Sequence, residues 1–202
     1  MKTIVSLIAL GVVAASGYLS WRSEPRITKI SNDSKTKIAA TQSTLPTTNA
    51  ESISGLGKSW KVIPRSIHDG DTLRATQGGS ELKVRFCGID SPELKQKGGE
   101  QARDYLRNLL SKSNYTVYLK PIETDRYGRT VAEVFRSDGN QAVNVNAEMT
   151  QAGWAYYYAQ YARNCPDREQ IERGEQLAKE KGIGVWSDPR AMRPWDWRRA
   201  NR

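Results

Sequence analysis

Residues 69–93 read DGDTLRATQGGSELKVRFCGIDSPE, with the turn signal Gly78-Gly79-Ser80 almost midway between Asp71 and Asp90. The flanking runs, Thr72 to Thr76 and Glu81 to Ile89, carry the alternation of strands, so the stretch is expected to fold back on itself as an antiparallel hairpin. That pairing brings Asp71 and Asp90 together at the open end. Two carboxylates held there, with no partner built in, repel each other and invite a hard divalent cation with oxygen ligands. Arg85 on the same hairpin adds a planar fork suited to phosphate oxygens. A cation and an arginine around one point are what phosphodiester hydrolysis needs, because charge builds on the phosphoryl oxygens in the transition state.

One local conflict lies inside this stretch. Arg85 and Asp90 are five positions apart, so a regular strand would point them to opposite faces. To line one site the strand must bulge or turn sharply between them, and Gly88 is the residue that permits it. In the plainer alternative, Arg85 faces solvent and Asp90 caps a turn before Pro92. Asp69-Gly70, taken alone, is an ordinary turn dipeptide.

Outside the hairpin, the 202 residues leave room for one ordinary domain with appendages, and a hydrophobic content of 38% is low for a single compact core. Lys2 precedes an apolar run from Thr3 to Ala15, followed by small residues near Ser16. That layout predicts an export signal over 1–21, with retention as a membrane anchor as the alternative, because Tyr18, Leu19 and Trp21 prolong the apolar run. From Arg22 to Ser59 the chain is rich in Ser, Thr, Asn and Lys and has no periodicity, and it reads as a disordered tether. The folded domain is placed at 60–202. The net charge is +9, of which roughly +5 falls in that domain, favouring an anionic partner such as nucleic acid. The exported domain is expected to be secreted or periplasmic, and monomeric.

Within the domain, strands are expected over Trp60 to Ile67, Thr72 to Thr76, Leu82 to Ile89, Thr116 to Lys120 and Thr130 to Phe135. Helices are expected over Glu100 to Leu110, Val143 to Ala152 and Asp167 to Lys181, the last opened by Pro166 and closed by Gly182. Periodicity alone supports α+β and no more. The two cysteines, Cys87 and Cys165, permit one disulfide in an exported chain; that bridge is our expectation, and two buried thiols the alternative. Too few ligands exist for a Cys/His metal site, and the single histidine, His68, without a nucleophile elbow, argues against a serine triad. An EF-hand is excluded because its ligand run is missing.

The motifs D-G-D-T-L and, after a spacer, R-F-C-G-I-D-S-P-E resemble the signature of the thermonuclease (staphylococcal-nuclease-like) family. Thr124-Asp125-Arg126-Tyr127-Gly128-Arg129 is similar to that family's second block, and Gly182 to Trp186 resembles the close of its last helix. The resemblance extends over Trp60 to Trp186. It implies a five-stranded OB-fold β-barrel with three helices, and a calcium-dependent endonuclease that cuts DNA and RNA and leaves 3′-phosphates. By the same resemblance, Asp71, Asp90 and the Ser91 carbonyl would hold Ca2+, and Glu93 would be the general base. Arg85 and Arg129 would clamp the scissile phosphate, with Tyr127 and Tyr161 near the bound nucleotide. Serine at 91 and phenylalanine at 86 depart from the family's usual residues, and the segment from Glu93 to Glu100 is shorter than in the staphylococcal enzyme. A non-catalytic OB module that binds nucleic acid at the cell envelope is the rival reading. The C-terminal Pro194-Trp195-Asp196-Trp197-Arg198-Arg199 is expected to pack back on the barrel.

Overall fold

The structure, a computed structural model, describes residues 52–202. The N-terminal apolar run and most of the expected tether lie outside the described residues. Regular structure is present ahead of the expected boundary at Ser59: Ile53–Leu56 forms a 3-10 turn, Leu56 is buried, and Ser52 bridges to Gln141.

Strands β1 (Trp60–Val62), β2 (Thr72–Gln77) and β3 (Ser80–Phe86) form an antiparallel meander. Strand β1 stops short of the expected Ile67 because Pro64 has no N–H to donate and opens a 3-10 turn, Pro64–Ser66. The hairpin register pairs Thr72 with Arg85 and Gln77 with Ser80, closing at Gly78-Gly79. After Phe86 the expected strand breaks. Cys87 and Gly88 form a turn, with Gly88 at φ 71°, and β4 (Ile89–Asp90) continues in a separate two-stranded sheet. Arg85 and Asp90 thereby come to one side.

Helix α1 (Gly99–Ser111) follows, burying Ala102, Leu106, Leu109 and Leu110 along one stripe. Each of those leucines contributes roughly 1.5–3 kcal/mol by leaving water. Strands β5 (Thr116–Thr124) and β6 (Thr130–Asp138) complete the barrel, in the order β3-β2-β1-β5-β6, and a parallel pairing of β3 with β6 closes it. Its interior is filled by Leu73, Ala75, Val84, Phe86, Val117, Ala132 and Val134. Strand β7 (Gln141–Asn144) pairs with the far half of β6, so Val143 and Asn144 belong to a strand rather than to the expected helix. Helix α2 (Val145–Gln151) starts where the Asn144 side chain accepts the Ala147 N–H at 3.1 Å.

Strand β8 (Tyr156–Tyr157) pairs with β4. Helices α3 (Ala159–Ala162), α4 (Arg168–Lys181) and α5 (Pro194–Ala200) finish the domain. Of these, α4 has the expected bounds to within a residue, whereas α3 and α5 are additional to the expected three helices. Two fastenings hold the Cys87–Gly88 turn. A disulfide joins Cys87 to Cys165, with 5.9 Å between their Cα atoms. Asn146, fully buried on α2, donates to the Cys87 carbonyl at 2.8 Å while accepting the Val134 N–H at 3.0 Å. A Cβ on Gly88 would meet the Cys165 sulfur at 2.9 Å, so both the positive φ and the packing demand glycine there.

Candidate active site

The open end of the β2–β3 hairpin faces a cavity of about 1220 Å³, lined by residues from both ends of the domain. Asp69 sits in the turn before β2, its Oδ1 accepting the N–H groups of Asp71 at 3.2 Å and Thr72 at 2.8 Å. This small Asx turn fixes the direction of Asp71. Gly70 beside it admits no side chain, since a Cβ would lie 2.5 Å from the Ser91 hydroxyl. Asp71 Oδ2 accepts the Ser91 N–H at 2.7 Å, which ties the hairpin to the segment after β4. The Ser91 hydroxyl donates to the Trp154 carbonyl at 3.1 Å.

Arg85 stands between the two aspartates. Its Nη1 lies 2.5 Å from Asp71 Oδ1 and its Nη2 2.9 Å from Asp90 Oδ1. A second guanidinium comes from α5. Arg198 donates to Asp90 Oδ2 at 2.7 Å, to Asp90 Oδ1 at 3.1 Å and to Glu93 Oε1 at 2.8 Å. The expectation that Asp71 and Asp90 carry no built-in partner is therefore overturned. Periodicity tells which face a residue occupies; it does not tell where a long guanidinium side chain ends.

Electrostatics follow from this crowding. Burial, with Asp71 next to it, raises Asp69 to about 7. Burial also raises Asp90, against the lowering effect of the Arg198 hydrogen bond. For Arg85, burial alone would lower the guanidinium, but Asp71, Asp90 and Asp69 together hold it above its ordinary value. Hydrogen bonds to Asp90 do the same for Arg198. For both Asp69 and Asp90, burial is the leading cause of the rise, and Asp71 adds to it.

Arg129 reaches the cavity from the turn joining β5 to β6. Asp125 organises that turn, accepting the N–H groups of Tyr127 and Arg129, each at 2.9 Å, and the Arg129 Nε at 2.6 Å. These bonds, against the opposing effect of burial, keep the Asp125 carboxyl below its usual range. The guanidinium of Arg129 also lies 5.3 Å from the Tyr127 ring centre. Tyr127 and Tyr161 are both exposed, at 66% and 59%, and both line the cavity. Of the clustered tyrosines, Tyr156 is buried, while Tyr157 and Tyr158 are half-buried. His68 is exposed at the surface before the site.

Thus Asp71, Arg85, Asp90, Ser91, Glu93, Tyr127, Arg129 and Tyr161 all border one cavity. Sequence reasoning missed Arg198, although Trp195-x-x-Arg198 after a helix-opening Pro194 places an aromatic anchor and a guanidinium on one helical face. Among the described residues, no three His, Cys, Asp or Glu side chains form a ready metal cluster. The donors suited to a cation are Asp71 and Asp90, each within 3 Å of the single Arg85. Both supply hard oxygen, so this donor set fits a hard divalent cation.

Comparison with known proteins gives one family match: the model described as staphylococcal nuclease homologue covers residues 83–188. A protein named micrococcal nuclease from Shigella flexneri is 38% identical over 141 residues, spanning 67% of this chain and 79% of that protein. An uncharacterized endonuclease of Escherichia coli O157:H7 is 34% identical over 147 residues, 69% of this chain and 90% of its own length. A probable staphylococcal-like nuclease of Oryza sativa subsp. japonica is 32% identical over 122 residues, 60% of this chain and 34% of its own.

Proposed function

This chain belongs to the staphylococcal nuclease family and is an endonuclease acting on nucleic acid; from that premise we propose that it cleaves both DNA and RNA, depends on calcium and leaves 3′-phosphates. The observation that supports the reading is the meeting of Asp71, Arg85, Asp90, Glu93 and Arg129 on one cavity. Asp71, Asp90 and the Ser91 carbonyl would hold the ion. When bound, calcium would polarise a phosphoryl oxygen and help retain a water near it. Glu93 orients and deprotonates the attacking water, once its carboxylate is released from Arg198. Arg85, braced from two sides by Asp71 and Asp90, presents a guanidinium that need not reorganise as charge builds on the phosphoryl group. Arg129, braced by Asp125, serves the opposite side of the phosphate and favours departure of the 5′-oxygen. Tyr127 and Tyr161 offer exposed rings against which bases stack.

The roughly +5 charge of residues 60–202 supports an electrostatic hold on the strand that is independent of its sequence. Export, through the apolar run after Lys2, belongs to the same reading, with the catalytic domain acting outside the cytoplasm as a monomer. Product ends test the assigned chemistry. With calcium, fragments of a defined oligonucleotide should resist polymerase extension until a 3′-phosphatase is added; ends that extend directly would refute the proposed direction of cleavage.

A further inference from the structure

The family match ends at residue 188, yet the site does not. Helix α5 lies beyond it and is firmly seated. Pro194 is buried, and the Trp195 ring stacks on Tyr158 at 4.7 Å and meets Tyr156 edge-on at 5.9 Å. Just before the helix, Met192 accepts a hydrogen bond from the Gln96 amide, and the Arg193 guanidinium lies over the Trp195 ring at 5.4 Å. Arg198, one helical turn after Trp195, is aimed by this anchor at Asp90 and Glu93.

Asp90 then has little room for anything else. Its Oδ1 accepts from both Arg85 and Arg198, and its Oδ2 accepts from Arg198. A cation that takes an oxygen of Asp90 enters where a guanidinium already sits and competes with it. Arg85 has a side chain only 15% exposed and is also bound to Asp71, whereas that of Arg198 is 37% exposed and reaches in from the cavity wall. Arg198 is therefore the one that yields. Its third bond, at 2.8 Å, holds the Glu93 carboxylate against the guanidinium and away from any water it would activate.

We propose that Arg198 is the site's own competitor for calcium: it occupies Asp90 and restrains Glu93 in the metal-free protein, and calcium displaces it. This rests on the calcium reading above. Competition for one carboxylate is reciprocal, so whatever weakens the Arg198 contact must strengthen calcium binding. A nuclease built this way keeps its base restrained until the ion arrives, and the freed guanidinium then faces the same cavity as the substrate backbone.

Calorimetric titration of calcium into the full chain tests the proposal, with no nucleic acid present. Arg198→Met keeps the aliphatic stem and removes the charge, and it should bind calcium at least tenfold more tightly than the native protein. Arg198→Lys, which retains charge but loses the fork, should fall between the two, and it carries the test if the Met variant does not fold. Arg199→Met controls for the general field of α5, because Arg199 lines the same cavity but pairs with Asp196 rather than with Asp90 or Glu93; its affinity should change less than twofold. Equal or weaker calcium binding by the Arg198 variants would overturn the proposal, as would equal tightening in Arg199→Met. Calcium binding to none of the proteins, native included, would instead refute the calcium reading on which the proposal rests.

Discussion

Reducing the Cys87–Cys165 bridge should destabilise the domain by several kcal/mol, and its size follows from the chain that the bridge encloses. The two cysteines are 78 positions apart, so the cross-link removes the entropy of a long loop from the unfolded state. In the chain-entropy treatment a loop of that length corresponds to about 4.5 kcal/mol at 25 °C. Residual structure in the unfolded chain lowers this, and a measured loss of roughly 2–4.5 kcal/mol is expected. Both cysteines are buried, at 1% and 3% exposure, so comparing oxidised with reduced native-sequence protein is cleaner than substitution, which would also remove packed sulfur. Urea unfolding of the two forms supplies the assay, with a parallel drop in Tm on the order of 10 °C for a domain of this size. Activity should fall along with stability, because the bridge pins the turn that brings Arg85 and Asp90 to one side. A difference below about 1 kcal/mol, or two alkylatable thiols in protein folded under oxidising conditions, would refute this reasoning.

Arg85→Ala and Arg129→Ala should each lower kcat by ~100-fold or more at saturating substrate, the usual scale for removing a charge-stabilising group, with near-native rates refuting the assigned roles. Glu133, fully buried, accepts the Asp167 N–H at 2.6 Å and is raised by burial to about 7. The folded state thus retains a proton that the unfolded chain releases near the ordinary 4.5, so this group's contribution makes stability fall as pH rises from 4.5 to about 7. Glu133→Gln should remove that slope and gain roughly 1–3 kcal/mol at pH 8, as read from urea unfolding across pH; an unchanged slope would contradict it. Sequencing the N-terminus of the mature protein after cell fractionation tests export: a soluble chain starting near Gly17 means cleavage and release, intact Met1 in the membrane fraction means an anchor, and an intact chain in the cytoplasm would refute export.

The hairpin was legible because its signals are local: two glycines set the turn, alternation sets the faces, and Thr72 meets Arg85 as the spacing requires. Gly88 was likewise legible, since only a turn could bring Arg85 and Asp90 to one side. The long helices α1 and α4 carry enough periods to be read, and Gly182 closes α4 in the left-handed conformation expected of a helix-ending glycine. Short elements were not legible. Strands β4 and β8 are two residues each and exist only because they face one another. Asn144 looked helical from its neighbours but ends a strand and caps the helix. Arg198 contacts Asp90 across 108 positions, and its partner is set by how Trp195 seats on Tyr158, a tertiary fact with no local trace. For the same reason the sequence left the two aspartates without partners, when Arg85 bridges both.

Plasmid cleavage under alternating calcium and chelator bears most directly on the central claim, that Asp71 and Asp90 serve a calcium-dependent phosphodiester cleavage. The purified full chain should nick and linearise plasmid DNA with calcium present, stop when chelator is in excess, and resume when calcium is restored above the chelator. Asp71→Asn, run alongside, should show at most residual cleavage at every calcium level. Undiminished cleavage in excess chelator, or a fully active Asp71→Asn, would contradict the account.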